Sequence, residues 1–151
     1  MLDDFKKNKN TIVKEAESES QVRKCWHSFS QLRLNIPSDI DFLKQWEIQK
    51  YEGYKLIYIE DDSIVIAAAG YRLMHTMAWG KIIYIDDLIA HDTKRGKGYG
   101  TILLKYIQDI AKELSCNSVQ LDTGYQRHQA HKSYLRNGFN MTCHHMELDL
   151  G

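Results

Sequence analysis

The chain has few cysteines, one proline and no excess of either charge. The cysteine content and the charge balance each argue against a class of protein. Its three cysteines are widely spaced and odd in number, and they contain no Cys-x-x-Cys pair, which argues against a disulfide framework. Its 20 basic and 20 acidic residues balance, so neither nucleic acid nor an anionic membrane is favoured as a main partner.

Long hydrophobic segments are missing as well. Residues 1–7 contain no apolar core of the signal-peptide type, and no apolar run approaches the length that spans a membrane. We therefore expect a cytoplasmic protein. The 151 residues are enough for one domain, residues 1–151, which buries roughly two-thirds of its surface on folding and requires no metal or disulfide. The polar residues 1–10 are expected to fray.

Hydrophobic periodicity predicts a mixed α/β fold, in which a hairpin-rich first part is followed by alternating strands and helices. The one proline, Pro37, separates two helices, and either Ser38 or Asp39 can cap the second, which Gly53 closes. The other predicted helices cover residues 20–32, 101–114 and 127–137. The predicted strands cover residues 11–13, 55–60, 63–73, 118–123 and 139–150, and a central strand begins near Lys81.

The most informative stretch is residues 81–114, which predict a strand, a glycine-rich basic loop and a helix. The loop, Arg-Gly-Lys-Gly-Tyr-Gly at residues 95–100, places backbone N–H groups at the positive end of a helix, where a phosphate binds well. It lacks the Lys-Ser/Thr pair of a Walker A loop, and Thr101 replaces the last glycine of a Rossmann fingerprint. Taken alone, three glycines before a helix also fit an ordinary tight turn.

Two motifs resemble those of the GCN5-related N-acetyltransferases (GNATs), which bind acetyl-coenzyme A (acetyl-CoA). Residues 95–100 fit the Arg-x-x-Gly-x-Gly pyrophosphate loop of that family. Downstream, at the separation usual for the family, residues 130–139 match its Ala-x-x-x-Tyr-x-x-x-Gly-Phe segment. The resemblance covers residues 54–150. In one departure, Arg127 stands seven residues before the tyrosine, where many members have asparagine.

The resemblance implies both a fold and a cofactor. A GNAT fold has a central mixed, mostly antiparallel sheet in which two central parallel strands splay apart as a V, with helices on both faces. Acetyl-CoA is implied as the co-substrate, without a metal. The residues implied to bind it are Leu88, Ile89, Ala90, Arg95, Gly96, Lys97, Gly98, Tyr99, Gly100 and Thr101.

Acetyl transfer to an amine requires three kinds of group. A primary amine with a pKa of about 10 must lose a proton before it attacks. The thioester oxygen needs an N–H donor, and the departing thiolate needs a proton. By resemblance, Asp86 is the base, the Leu88 N–H is the donor and Tyr134 is the general acid. Alternation along the strand is expected to separate two faces, one with Tyr84, Asp86, Leu88 and Ala90 and the other with Ile85, Asp87 and Ile89.

Each of these residues also has a purely structural interpretation. Asp86 and Asp87 are also consistent with the end of a strand that meets solvent. Their neighbours are apolar, however, and burying a carboxylate that has no function costs free energy. Tyr134 fits a core tyrosine with its hydroxyl at the surface. His128 and His131 have a spacing that is seen in metal sites, but no third ligand is fixed beside them.

The function that these patterns favour is acetyl-CoA-dependent N-acetylation of a primary amine on a small molecule or peptide, by direct transfer in a ternary complex. No cysteine lies in the two motifs, so no acetyl-enzyme is expected. A non-catalytic acyl-CoA-binding sensor and a protein lysine or N-terminal acetyltransferase are open alternatives. An exposed final strand could also pair with its copy across a two-fold axis, which would give a homodimer.

Overall fold

A five-stranded sheet in sequence order organises the part of the chain that the computed structural model describes, residues 11–90 and 98–151. Neighbouring strands run antiparallel except the last two, which are parallel. The sheet is therefore mixed and mostly antiparallel, as expected. Its strands are β1 (Lys14–Glu15), β2 (Lys55–Asp61), β3 (Ile64–Thr76), β4 (Gly80–Ala90) and β5 (Ser118–Leu121).

The described residues also form the helices α1 (Glu19–Phe29), α2 (Asp39–Tyr51), α3 (Tyr99–Glu113) and α4 (His128–Arg136). Ser18 begins α1 with a capping box, and Ser38, one of the two predicted residues, caps α2. Gly53 follows α2 with a φ of 88°, a left-handed conformation that favours glycine. Within the described residues, no helix combines the length and the apolar character needed to cross a bilayer.

Two hydrophobic cores lie on opposite faces of the sheet. The first core is formed by α1 and α2, and the second by α3 with one residue of α4. Along β2, Leu56 and Tyr58 belong to the first core whereas Ile57 and Ile59 belong to the second, as alternation along a strand requires. Burial of these side chains is the main favourable term in folding. The expected placement of helices on both faces is confirmed.

β4 and β5 pair over a short distance only. Their pairing begins at Ile82 with Ser118 and ends at Ile85 with Leu121. Beyond that point, residues 87–90 of β4 pair with β3 alone among the described residues. The two parallel strands therefore part at Ile85, and this is the V-shaped splay that the resemblance implied.

Two predicted strands differ from the observed ones. The first strand forms at residues 14–15 and not at 11–13, because Lys14 and Glu15 are the residues that pair with β2. Residues 139–150, predicted as the last strand, form none. Residues 140–151 are exposed, and no backbone hydrogen bond joins them to another described residue. A strand needs partner backbone as well as an alternating sequence, and within the described chain this segment has no such partner.

Candidate active site

An extra residue in β4 shapes the middle of the site. Gly70 of β3 pairs with Asp87, and the next residue, Tyr71, pairs with Ile85, so Asp86 has no partner of its own on β3. This is a β-bulge, which bends a strand and redirects the side chains that follow it. It lies where β5 stops pairing with β4.

The bulge makes the predicted alternation of β4 wrong. Ile85, before the bulge, belongs to the second core, and Leu88 and Ala90, after it, pack against that same core. Ile89 belongs to the first core. Leu88 and Ala90 therefore do not share a face with Tyr84, because one extra residue shifts the phase of the alternation.

The Asp86 carboxylate is held by a two-point contact with Arg72 of β3. Arg72 Nη2 donates to Asp86 Oδ1 at 2.8 Å, and Arg72 Nε donates to Oδ2 at 3.0 Å. Burial raises the pKa of Asp86 above its ordinary value, and the hydrogen bonds and charge of Arg72 oppose that rise. Asp86 therefore takes up a proton more readily than an exposed aspartate does.

Asp87 is held by a different set of partners on the face of α1 and α2. Arg33 donates from Nε to Asp87 Oδ1 at 2.7 Å, and its Nη2 lies 2.6 Å from the same oxygen. The Tyr54 hydroxyl donates to Oδ2 at 2.8 Å. Arg33 also donates to the Asp86 carbonyl at 2.8 Å. The contacts of Arg33 with Asp87 and with the Asp86 carbonyl therefore attach the segment between α1 and α2 to the bulge in β4.

Tyr54 reaches Asp87 by crossing over Gly70 of β3. A Cβ added at Gly70 would collide with the ring and hydroxyl of Tyr54. Burial, reinforced by the charge of Asp87, raises the pKa of Tyr54 well above its ordinary value. The hydroxyl therefore stays protonated and remains a donor to Asp87.

The three β4 residues implied to bind the cofactor lie on the half of β4 that does not pair with β5. Leu88, Ile89 and Ala90 pair with three consecutive alanines of β3, and no described residue pairs with them on the side of β5. An extended chain that carries amide groups can bind such an edge through the hydrogen bonds that another strand would use. The position of these three residues fits pantetheine.

The beginning of α3 fits an anion. Gly98 is its N-cap residue, with a φ of 83°, and no side chain caps the helix. The first backbone N–H to bond within the helix belongs to Ile102, which donates to the Gly98 carbonyl. Among the described residues, the N–H groups of the preceding turn have no backbone acceptor, and they lie at the positive end of the helix dipole, where an anion binds well.

That first turn consists of Tyr99, Gly100 and Thr101, all implied to bind the cofactor. A side chain at Gly100 would meet nothing within 4 Å, so a ligand has room to approach the backbone there. Thr101 Oγ1 accepts a hydrogen bond from Asn137 Nδ2 at 3.2 Å, which joins α3 to the end of α4. The remaining residues implied by the loop, Arg95, Gly96 and Lys97, lie outside the described residues.

Tyr134 on α4 lies in the second core and is 6% exposed. Its ring packs edge-to-face against Phe139, with the ring centroids 5.7 Å apart. Burial raises the pKa of the Tyr134 hydroxyl, while the charge and a side-chain hydrogen bond of Arg127 oppose that rise. The arginine that departs from the family motif therefore sits beside the phenol that the motif supplies.

A cleft of about 990 Å³ opens beside β5. Its lining includes β5 itself, Tyr134 and residues 139–145. Tyr84 and Asp122 also line it, and the Tyr84 hydroxyl donates a hydrogen bond to the Asp122 carboxylate. Burial, with this hydrogen bond as the next cause, raises the pKa of Tyr84 above its ordinary value. Tyr84 and Asp122 therefore form a polar wall of the cleft, close to Ile85, where β4 and β5 stop pairing.

The sequence patterns missed the partners of both aspartates. Arg72 gave a usable signal, because a charged residue at the end of the apolar run of β3 indicates a buried ion pair. Arg33 and Tyr54 gave none, since they lie 54 and 33 residues from Asp87 along the chain. Local periodicity does not report contacts at that separation.

The two histidines of α4 have partners other than a metal. His131 Nε2 lies 2.7 Å from the Gly124 carbonyl oxygen, and the His128 and His131 rings are 6.0 Å apart. Across the described residues, no three side chains of His, Cys, Asp or Glu form a group that could hold a metal ion.

Comparisons with known proteins agree with this geometry. Residues 20–139 match the family described as "Acetyltransferase (GNAT) family". The chain is 30% identical over 125 residues to the uncharacterized N-acetyltransferase YhdJ of Bacillus subtilis (strain 168), a match that covers 81% of this chain and 86% of that protein.

Solved structures share the fold. A transcriptional regulator from Bacillus halodurans C-125 superposes with a TM-score of 0.80 at 20% identity, over 93% of this chain and 100% of that one. A predicted acetyltransferase with acetyl-CoA from Clostridium acetobutylicum gives a TM-score of 0.73 at 18% identity, over 93% and 96% of the two chains. The family match and these likenesses lead to one conclusion: the chain belongs to the GNAT family and is an acetyl-CoA-dependent N-acetyltransferase.

Proposed function

We propose that the protein transfers the acetyl group of acetyl-CoA to a primary amine on a small molecule or peptide, directly, in a ternary complex. The observation that carries this proposal is the half of β4 from Asp86 to Ala90. This half begins with the half-buried Asp86 carboxylate and pairs with the β3 alanines, and its other edge is unpaired among the described residues. Acetyl-CoA supplies an activated acetyl thioester when it binds, and the chain supplies every other group.

The cofactor would lie along two backbone surfaces. Leu88, Ile89 and Ala90 would pair with the amides of the pantetheine arm, as a strand pairs with a neighbour. The phosphates would lie at the first turn of α3, where the N–H groups after Gly98 have no helical acceptor. By resemblance, Arg95, Gly96 and Lys97 would bind the same phosphates.

Asp86 would be the base that takes the proton of the amine, directly or through one water. An alkylammonium with a pKa of about 10 is mostly protonated at neutral pH, so this step is required. Burial makes Asp86 a better proton acceptor than an exposed aspartate, and Arg72 fixes the direction of its carboxylate. Asp87 is the weaker candidate because Arg33 and Tyr54 hold it with only 10% of its side chain exposed, whereas 18% of the Asp86 side chain is exposed.

Two further groups would act on the thioester. The Leu88 N–H, which follows the bulge, would donate to the thioester oxygen as negative charge develops on it. The Tyr134 hydroxyl would give its proton to the departing thiolate, and its raised pKa keeps it protonated across the neutral range. The positive charge of Arg127 would stabilise the negative charge that this proton transfer leaves on the phenolate oxygen.

The carboxylates of the site favour a cationic acceptor. Asp86 and Asp122 flank Tyr84 and leave 18% and 48% of their side chains exposed. An ammonium group is attracted to such a pair before it loses its proton. This supports an amine as the acceptor class and leaves its identity to experiment.

A panel of primary amines, assayed for thiol release from acetyl-CoA, tests the proposal. The expected result is release above the rate of hydrolysis with at least one class of amine. The Gly98→Asp variant on the same panel should give none. Coenzyme A that raises the melting temperature, without thiol release for any amine, would identify a sensor and overturn the catalytic proposal.

A further inference from the structure

We propose that Arg33 is a positioning residue for acetyl transfer: it holds the backbone of the β4 bulge and so keeps the Asp86 carboxylate in the direction that a base needs. Arg33 lies in the α1–α2 segment, residues 30–38, and it acts on the reaction through Asp86 without touching acetyl-CoA or the amine. This inference rests on the proposed role of Asp86 as the base, and a cycle of double variants distinguishes the failure of one from the failure of the other.

The bulge leaves Asp86 without a partner residue on either side within the described structure. Tyr71 and Gly70 of β3 pair with the residues before and after Asp86, and the pairing of β5 with β4 ends at Ile85. A bulged residue lies outside the regular ladder, so its backbone is less constrained than that of a paired residue. Arg33 Nη2 donates to the Asp86 carbonyl oxygen at 2.8 Å and so constrains this peptide group where the neighbouring strands offer no partner residue.

The Arg33 guanidinium is itself fixed by the next residue of β4. Arg33 Nε donates to Asp87 Oδ1 at 2.7 Å, and Nη2 lies 2.6 Å from the same oxygen. The Tyr54 hydroxyl donates to the other oxygen of Asp87 at 2.8 Å. Because the guanidinium is planar and rigid, its donors to Asp87 and to the Asp86 carbonyl move together. Arg33 therefore bridges two consecutive residues and restricts rotation of the peptide group that joins them.

Two arginines thus act on Asp86 from different directions. Arg72 of β3 holds the side chain through both carboxylate oxygens, at 2.8 and 3.0 Å, and Arg33 holds the backbone. Arg72 fixes the carboxylate relative to β3, whereas the backbone of the bulge determines where the side chain leaves β4. Without Arg33 the base can shift relative to the Leu88 N–H that would bind the thioester, and a shift of about 1 Å costs on the order of 10²-fold in rate.

Charge is the second effect of Arg33 on Asp86. Burial raises the pKa of Asp86 most strongly, the hydrogen bonds and charge of Arg72 oppose that rise, the charge of Asp87 adds to it and the charge of Arg33 opposes it. In the described part of the chain, the ionisable groups that face Asp86 lie on the α1–α2 segment, just before β2, on β3 and on β4 itself: Arg33, Tyr54, Arg72, Tyr84 and Asp87. Removing the Arg33 charge therefore raises the pKa of Asp86 further, so the acidic limb of kcat should move to higher pH.

Arg23 is a matched arginine that joins α1 to α2. Arg23 Nε donates to Asp39 Oδ2 at 2.8 Å, and its Nη2 also lies 2.8 Å from that oxygen. The Arg23 and Arg33 side chains are 48% and 41% exposed, so solvent screens the two ion pairs to a similar degree. An effect of Arg33 that Arg23 does not share therefore comes from the contact with the bulge.

Arg33→Met and Arg23→Met, compared by steady-state kinetics, test the inference. Arg33→Met should lower kcat by about ten- to a hundredfold, with the KM for acetyl-CoA nearly unchanged and the acidic limb of kcat moved to higher pH. Arg23→Met should change kcat by less than about twofold and leave that limb in place. Equal kcat values for the two variants would overturn the inference.

Arg33→Lys separates position from charge. Lysine keeps the positive charge, but its single ammonium group lacks the fixed spacing of the guanidinium donors. The kcat should therefore fall while the acidic limb stays near its wild-type pH. Both Arg33 variants should keep the wild-type melting shift with coenzyme A, which shows that they are folded. A wild-type kcat in Arg33→Lys would show that Arg33 contributes charge alone, which contradicts a positioning role.

Adding Arg33→Met to Asp86→Asn completes the cycle. If Arg33 acts through Asp86, the second substitution should lower kcat by less than about threefold further. A full additional loss would overturn the role of Arg33 and leave Asp86 as the base. A wild-type kcat in Asp86→Asn alone would instead remove the proposed base, and with it the role of Arg33.

Discussion

The two halves of β4 have different pairing partners. The first half contributes mainly to the stability of the fold, and the second half forms part of the candidate site. Residues 82–85 pair with β3 on one side and with β5 on the other, and Ile82 and Ile83 are fully buried. Residues 87–90 follow the bulge at Asp86 and, in the described part of the chain, pair with β3 alone. The first half contributes packing and hydrogen bonds to the fold, whereas the second half keeps a backbone edge available to a ligand.

Asp86 and Asp87, at the boundary between the two halves, differ in the same respect. The Asp87 side chain is 10% exposed, and Arg33 and Tyr54 both hold its oxygens. Asp86 is held by Arg72, and its side chain is 18% exposed. The less exposed carboxylate holds the fold together, while the more exposed one leaves more room for a proton donor to approach.

The largest expected effect is the loss of coenzyme A binding in Gly98→Asp. The change adds a side chain to a residue with a φ of 83° and puts a negative charge where phosphate would lie. Coenzyme A at about 100 times its dissociation constant should stabilise the wild type by about 2.7 kcal/mol, and thermal melting should show no shift for the variant.

Gly53→Asp is the matched control for that variant, because Gly53 also has a positive φ, of 88°, with open space around it. It should keep the full melting shift with coenzyme A. A Gly98→Asp protein that folds and binds coenzyme A as well as the wild type would refute the phosphate assignment.

Asp86→Asn should lower kcat by about 10²–10⁴-fold, the usual contribution of one general base, with coenzyme A affinity nearly unchanged. In the wild type, kcat should fall as the pH drops through the raised pKa of Asp86, because the protonated carboxyl cannot accept the proton of the amine. The variant should lack that acidic limb. Steady-state rates from acidic to neutral pH measure both effects.

Asp87→Asn sharpens this comparison between neighbours. The substitution removes the negative charge to which Arg33 and Tyr54 donate hydrogen bonds, so it should lower the free energy of unfolding by about 1–3 kcal/mol. Its effect on kcat should be smaller than that of Asp86→Asn. A wild-type rate in Asp86→Asn, at a pH where the amine is mostly charged, would remove Asp86 from the role of base.

Ile83→Ala should destabilise the doubly paired half of β4 by about 2–5 kcal/mol, because Ile83 is completely buried and its truncation leaves a cavity. Leu88→Ala, in the singly paired half, should cost less, since Leu88 is only partly buried. Urea denaturation of the two variants makes the comparison. A greater loss in Leu88→Ala would show that the free half of β4 contributes more to the fold than its pairing indicates.

Tyr134→Phe should lower kcat by less than Asp86→Asn does, by a factor on the order of ten to a thousand. It keeps the ring that packs on Phe139 and removes only the hydroxyl, so folding and coenzyme A binding should stay near normal. Tyr51→Phe, the same change at a residue that is 90% exposed, is the control and should have no effect. A wild-type kcat in Tyr134→Phe would return Tyr134 to the role of a packing residue.

Local chemistry made much of the fold predictable from the sequence. Pro37 followed by Ser38 marked the start of α2, and the loop at residues 95–100 marked the start of α3. The predicted hairpin between β2 and β3 forms through Asp62 and Ser63, which both have a positive φ, as a tight turn requires. Each of these signals lies within a few residues of the structure that it specifies.

Contacts between distant parts of the chain account for what the sequence did not reveal. The bulge at Asp86 exists only in the register with β3, and a single strand with regular alternation does not show it. The same limit applies to residues 139–150, whose alternating pattern fits a strand although no backbone hydrogen bond joins residues 140–150 to another described residue. The hydrophobic periodicity of a segment predicts which of its faces is buried. Which residues pack against that face is known only from the folded structure.

The crossing of Tyr54 over Gly70 links positions 54, 70 and 87 in the evolution of this protein. Any Cβ at position 70 displaces the tyrosine and so releases Asp87 from one of its two side-chain partners. Substitutions at the three positions should therefore accumulate together in descendants of this sequence. Gly70→Ala should be tolerated poorly alone and better when Tyr54→Leu accompanies it.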